Sequence, residues 1–205
     1  MWIFFNYSQK IKNTSQKLLV KFIFILAVAS GFLYLMQRFS NELGKYSLEK
    51  VAQTSSATRD WIYHSAGDEG SSYNLGTFDP TVTGMLSKFP LAVNVTFFRP
   101  YFWESKKIIV AFSSIEALLF LFLTLKILFK IGPVKIWRTV TKDPTIQFCL
   151  VFSILFAFAV GVSSYNFGSL SRYKIPCLPF YILALVLIYY KNRPSHNKLF
   201  KVIGL

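Results

Sequence analysis

Four apolar runs constrain this chain more than anything else in it: Leu18 to Met36, Ile108 to Phe129, Ile146 to Val162, and Ile175 to Tyr190. A bilayer core of about 30 Å is crossed by roughly 20 apolar helical residues, so each run reads as a transmembrane helix. The fourth is short and fits a span that starts within the interface or thins the bilayer locally. Pro176 and Pro179 suit its first turn, where backbone amides lack intrahelical acceptors anyway. Composition agrees, because 53% of the 205 residues are hydrophobic and 18% aromatic, which leaves too little polar cover for a soluble domain of this size. The predicted fold is an all-α polytopic membrane protein, a single membrane domain over residues 1–205 with about four spans and one long external loop, residues 37–107.

A formal net charge of +14 raises nucleic acid as a partner, since clustered cations release phosphate counterions. The distribution of the charge excludes that reading. Lys10, Lys12, Lys17 and Lys21 precede or enter the first span, Lys130, Lys135, Arg138 and Lys142 follow the second against the single Asp143, and Lys191, Arg193, Lys198 and Lys201 follow the fourth. Cations grouped beside spans mark the cytoplasmic side. Both termini and the segment between the second and third spans are therefore expected inside, with residues 37–107 and the connection Ser163 to Lys174 outside. The partner is the lipid bilayer, of bacterial inner-membrane type, with other membrane proteins as further partners. Tyr101, Phe102 and Trp103 before the second span, and Tyr189 and Tyr190 at the end of the fourth, fit aromatic belts at the two surfaces.

This topology puts Cys149 and Cys177 at opposite faces, too far apart for a disulfide. Neither they nor His64 and His196 show metal-ligand spacing, so no metal and no cofactor is expected. The first long apolar run has no small-residue cleavage site after it and reads as an uncleaved span. Met1 to Tyr7 is too short to cross. It reads either as an interfacial anchor or as the end of a lost span, in a chain that is the C-terminal portion of a longer protein.

Within the long loop, Gly70 to Pro80 is rich in turn formers, and Asp79-Pro80 is predicted as an N-cap followed by proline at the first helical position. Thr81 to Phe98 is apolar but interrupted by Lys88 and Pro90, which predicts a helix lying in the outer interface and broken near Pro90. A fifth span there would turn the cationic segment after the second span outward. Arg99 and Glu104 are placed to pair across the turn Arg99-Pro100-Tyr101-Phe102-Trp103-Glu104. That cluster reads either as an interface anchor or as an arginine that binds an anionic headgroup beside stacking aromatics. Asp68 and Glu69 are the candidate acids for activating a hydroxyl acceptor, with simple solvation as the alternative.

Glu116 falls about 12 Å along the second span, near mid-membrane, where an ionised group costs a few kcal/mol unless it is paired. It is predicted either as a neutral acid bonded to Ser or Tyr or as the counter-charge of a cation on another span. Lys126 is closer to the inner end and can snorkel. Arg172 and Lys174 fall outside, against the charge rule, so a local reason is needed. Arg172 with Tyr173 offers donors for a phosphate. The alternative is an arginine locked to Glu116 or Glu104.

Asn166-Phe167-Gly168 followed by Ser171-Arg172-Tyr173-Lys174-Ile175-Pro176 and Leu178-Pro179-Phe180 resembles the late arginine-tyrosine, proline-proline segment of bacterial multi-span proteins from polysaccharide clusters. These include GT-C glycosyltransferases similar to dolichyl-phosphate-mannose-protein mannosyltransferases. Arg99 to Glu104 resembles a motif in membrane proteins of the same gene neighbourhoods. The likeness covers about the last half of the chain and rests on short motifs. It implies transfer of a sugar from a polyprenyl-phosphate carrier at the outer face, with Arg172, Tyr173, Lys174 and Arg99 near the phosphate and Asp68 or Glu69 as the base. GT-C enzymes have more spans and an essential acid in their first external loop, so a four-span chain implies a C-terminal portion or a relative without catalysis. The alternative is a non-catalytic membrane subunit or transporter fragment with a structural intramembrane ion pair.

Overall fold

The computed structural model describes residues 47–65, 71–105 and 107–193, together with isolated positions between 20 and 38. Positions 20, 23, 27, 30, 31, 34 and 38 are all helical, and the rest of the first predicted span lies outside the described residues. The described residues form no β-strand; a lone antiparallel bridge joins Ser72 to Asn166. The helices are α1 (Leu48–Ser65), α2 (Val82–Ser87), α3 (Phe89–Phe98), α4 (Ile108–Ile131), α5 (Pro133–Lys142), α6 (Pro144–Ser164), α7 (Phe167–Tyr173) and α8 (Leu178–Lys191). Short 3₁₀ turns, Phe102–Glu104 and Ile175–Cys177, precede α4 and α8.

Val110–Ile131 and Pro144–Ser164 are long and apolar enough to cross a membrane, and α7 with α8 adds a third crossing if the pair is taken as one span bent by 41°. Ile108, Phe112, Phe122 and Phe129 of α4 stay between 60% and 81% exposed, an apolar side that suits a hydrocarbon surrounding better than water. Gly132, at φ +84, turns the chain from α4 into α5 in a backbone region that favours glycine. Asp143 then starts α6: its Oδ1 accepts from the amides of Thr145 at 2.8 Å and Ile146 at 3.2 Å, and it pairs with Lys191 at the end of α8. Cap and proline move the start of α6 ahead of the predicted Ile146.

Two predictions in the loop need correction. The N-cap of α2 is Thr81, not Asp79, because the Thr81 hydroxyl reaches the Gly84 amide at 3.1 Å. The break near Pro90 is present, at Lys88 between α2 and α3, but α3 is packed into the bundle. Its Ala92, Val95, Thr96 and Phe97 are buried. Gly161 lets the α3 backbone come close to α6, since a Cβ there would stand 2.4 Å from the Ala92 carbonyl oxygen. Thr96 Oγ1 donates within this contact, 2.8 Å from the Ala157 oxygen and 2.9 Å from that of Ala92. Small residues and a hydroxyl bonded to backbone are the means by which helices associate where lipid removes the hydrophobic drive. Farther along, Phe97 stacks on Tyr181 of α8 at 4.2 Å, and Tyr181 meets Thr124 of α4 through hydroxyls 2.8 Å apart. The short helix thus joins three long ones.

Candidate functional site

The loop end of the bundle is fixed by two tyrosines. α6 stops at Tyr165, which takes the left-handed conformation at φ 49 and is fully buried. A helix end leaves carbonyls and the following amide without intrahelical partners. Tyr73 supplies both: its hydroxyl accepts from the Tyr165 amide at 3.0 Å and donates to the Gly161 oxygen at 2.8 Å. Backbone pairing of Tyr73 with Tyr165 and of Phe167 with Ser71 continues the seam, and Ser55 of α1 donates to the Val162 oxygen. Burial pushes the Tyr73 hydroxyl well above the ordinary tyrosine range, so it remains a donor.

Arg99 and Glu104 pair as the sequence predicts. Arg99 Nε donates to Glu104 Oε2 at 3.0 Å, Nη2 pairs with Oε1, and the Tyr101 amide donates to Oε2 at 2.8 Å. Burial alone would raise the Glu104 carboxyl, but the Arg99 and Tyr101 donors outweigh it and hold the group below the ordinary glutamate range. The guanidinium carbon lies 5.5 Å from the Phe167 ring centroid and 5.9 Å from that of Tyr101. Tyr101 stacks on Trp103 at 4.9 Å, and Trp103 projects outward, 79% exposed.

The segment after α6 departs from the predicted polar connection. Asn166 Oδ1 accepts from the Gly168 amide at 2.7 Å and starts α7, so the chain turns straight back into a helix. This separates the cations that follow. Lys174 is not on the outer surface but 1% exposed, with Nζ 2.8 Å from Glu116 Oε1. The partner of Glu116 is therefore this lysine, and Glu104 is held by Arg99, so neither acid takes Arg172. Arg172 and Tyr173 are exposed, and Arg172 Nε donates to the Gly168 oxygen at 3.2 Å. Arg99 over Phe167 and Arg172 on Gly168 thus flank the first turn of α7.

Next to these residues, α4 and α8 enclose an apolar groove of about 810 Å³, with Ile175, Pro179, Ile182 and Val186 on one wall and Leu119 on the other. Glu116 is its polar lining residue, 42% exposed. Its Oε1 and the Lys174 ammonium are close but off hydrogen-bond line, and neither atom has another partner among the described residues.

Asp68 and Glu69 lie outside the described residues, so the structure brings neither to the site. Among the described residues no three His, Cys, Asp or Glu side chains gather as metal ligands do, and both cysteines are free and buried. Tyr73, Tyr165 and Thr96 escape sequence reasoning because their hydroxyls meet groups far along the chain, backbone for Tyr73 and Thr96 and the Ser55 hydroxyl for Tyr165. The asparagine before Phe167 is an N-cap signal that would have revealed α7. No protein-family model, curated protein or solved structure matches this chain.

Proposed function

We propose that this chain is a multi-pass inner-membrane protein of cell-surface polysaccharide assembly that holds a polyprenyl-phosphate-linked sugar at its loop end. The phosphate binds to Arg172 and Tyr173, with Arg99 alongside, and the polyprenyl chain lies in the α4–α8 groove. One observation carries the reading: the exposed donors Arg172 and Tyr173 stand one buried residue ahead of Ile175, which lines the apolar groove, so head and tail sites of an amphiphile adjoin. Lys174, buried against Glu116, serves the frame and not the phosphate. In this reading the loop end faces outward and both termini lie in the cytoplasm. Glycosyl transfer would draw its base from the adjacent acids Asp68 or Glu69, while Glu104 and Glu116 are engaged in ion pairs.

The test is binding of polyprenyl phosphate and of the matching polyprenol to the purified full chain, followed by native mass spectrometry. A charged hydrogen bond to phosphate contributes about 1.5–3 kcal/mol, so a preference for the phosphate of roughly ten-fold or more is expected, lost in Arg172→Ala. Equal retention of the two lipids by the native chain would remove the phosphate site. A second reading, a non-catalytic subunit, is favoured by the Glu116–Lys174 pair itself. It predicts no polyprenyl preference and loss of assembly with a partner when the pair is broken.

A further inference from the structure

The opposite end of the same helix pair carries a different site. A smaller groove of about 250 Å³ continues the first, sharing Leu123, Ile182 and Val186 with it, and opens at Lys126 and Tyr189. Lys126 and Lys130 stand four residues apart on α4 and project from one face. Lys130 Nζ donates to the Tyr189 hydroxyl at 3.1 Å and lies 5.0 Å from the ring centroid, while Lys126 Nζ lies 5.7 Å from the Phe122 ring. No ion pair among the described residues includes either lysine. Asp143, the acid at this end, is committed to Lys191 and to the start of α6. Lys135, Arg138 and Lys142 add positive charge from α5, whose Trp137 and Val134 are each 70% exposed, as in a helix lying at headgroup level.

We infer that this groove is a specific site for one anionic glycerophospholipid, its phosphate held by Lys126 and Lys130 and an acyl chain lying along Leu123, Ile127, Ile182 and Leu185. Charge decides the occupant. A zwitterionic lipid would bring its own cation into this cluster, whereas a headgroup of net negative charge adds only attraction. Tyr189 completes the head site: its oxygen accepts from Lys130, which leaves the phenolic proton free to donate to a phosphate oxygen. The apolar trough distinguishes a lipid from free phosphate, which would gain nothing from it.

The full chain in mild detergent would be titrated with phosphatidylglycerol, with phosphatidylcholine of the same acyl chains, and with inorganic phosphate, and read by native mass spectrometry. At about 1 kcal/mol per lysine near an anionic headgroup, phosphatidylglycerol is expected to be retained roughly ten-fold more strongly or better. The double variant K126Q/K130Q should lose that preference, while K135Q/R138Q, the same change of charge on α5, should keep it. Should K126Q/K130Q fail to fold, Lys126→Glu alone gives the reading without touching the Lys130–Tyr189 bond. Equal retention of both lipids, or equal loss in both double variants, would overturn the site in favour of diffuse surface charge. Full displacement of phosphatidylglycerol by inorganic phosphate would overturn the role of the groove.

Discussion

Lys174 Nζ lies 2.8 Å from Glu116 Oε1, with the lysine buried and the carboxylate at the edge of an apolar groove. Removing one member of such a pair strands the other in a low-dielectric setting, which costs about 3–5 kcal/mol, whereas removing both costs much less. Glu116→Gln and Lys174→Met are each expected to lower the melting temperature in detergent. The double variant should be more stable than the sum of the two losses by at least about 1 kcal/mol. Additive effects would mean that the two groups do not hold each other. Glu116→Gln should be the worse single change, because the lysine left behind is the more deeply buried partner.

Tyr73→Phe tests the seam at the loop end. The substitution keeps the ring contacts with Tyr165 and Phe167, at 5.8 and 5.2 Å, and deletes the hydroxyl that serves Tyr165 and Gly161. Buried backbone groups left without partners cost about 1–3 kcal/mol. The expected result is a loss of stability in that range, together with faster amide exchange at Tyr165. Exchange unchanged from the native chain would show that water or another group caps α6.

Much of this architecture is legible in the sequence, for reasons that also mark where legibility ends. α4 and α6 are long, mostly apolar runs, and Arg99 with Glu104 is a local pair, so hydropathy and spacing suffice for both. α7 is not legible from hydropathy because its few residues include an arginine and three polar or small side chains, which read as a bend. Lys174 is misplaced for a related reason: its burial depends on Glu116, a residue on another helix that no local pattern connects to it. The Tyr73–Tyr165 bond joins residues 92 apart, and nothing near Tyr73 marks it as a cap. The segment that becomes α3 reads as interfacial because Lys88 and Pro90 interrupt its apolar run and a fifth span would turn the cationic segment outward, yet Gly161 and Ala92 allow it a place inside the bundle.

Glycine at 161 should therefore tolerate no side chain. Even the single methyl of Gly161→Ala would meet the Ala92 backbone at 2.4 Å, and Thr96 Oγ1 at 2.9 Å, so α3 must move or α6 must bend. Overpacking of this kind costs about 1–3 kcal/mol. The melting temperature is expected to fall, and cross-linking between cysteines introduced on α3 and α6 should weaken. Full stability in Gly161→Ala would mean that the two helices are held less closely.

Glu104 sets the acid limit of the loop end. Its carboxyl is held below the ordinary value of 4.5 because the Arg99 and Tyr101 donors outweigh the cost of burial. A carboxyl whose folded value is depressed contributes stability that is fully present above the unfolded value and is lost as pH falls through the folded one. The Arg99-to-Glu104 turn should accordingly stay protected at neutral pH and loosen as pH drops below 4.5, seen as rising amide exchange at Tyr101 and Glu104. Glu104→Gln should already exchange faster at neutral pH and lose that acid dependence. An acid response identical in the two proteins would assign it to other carboxyls, and Arg99 would then be held at the first turn of α7 by its aromatic contacts with Tyr101 and Phe167 alone.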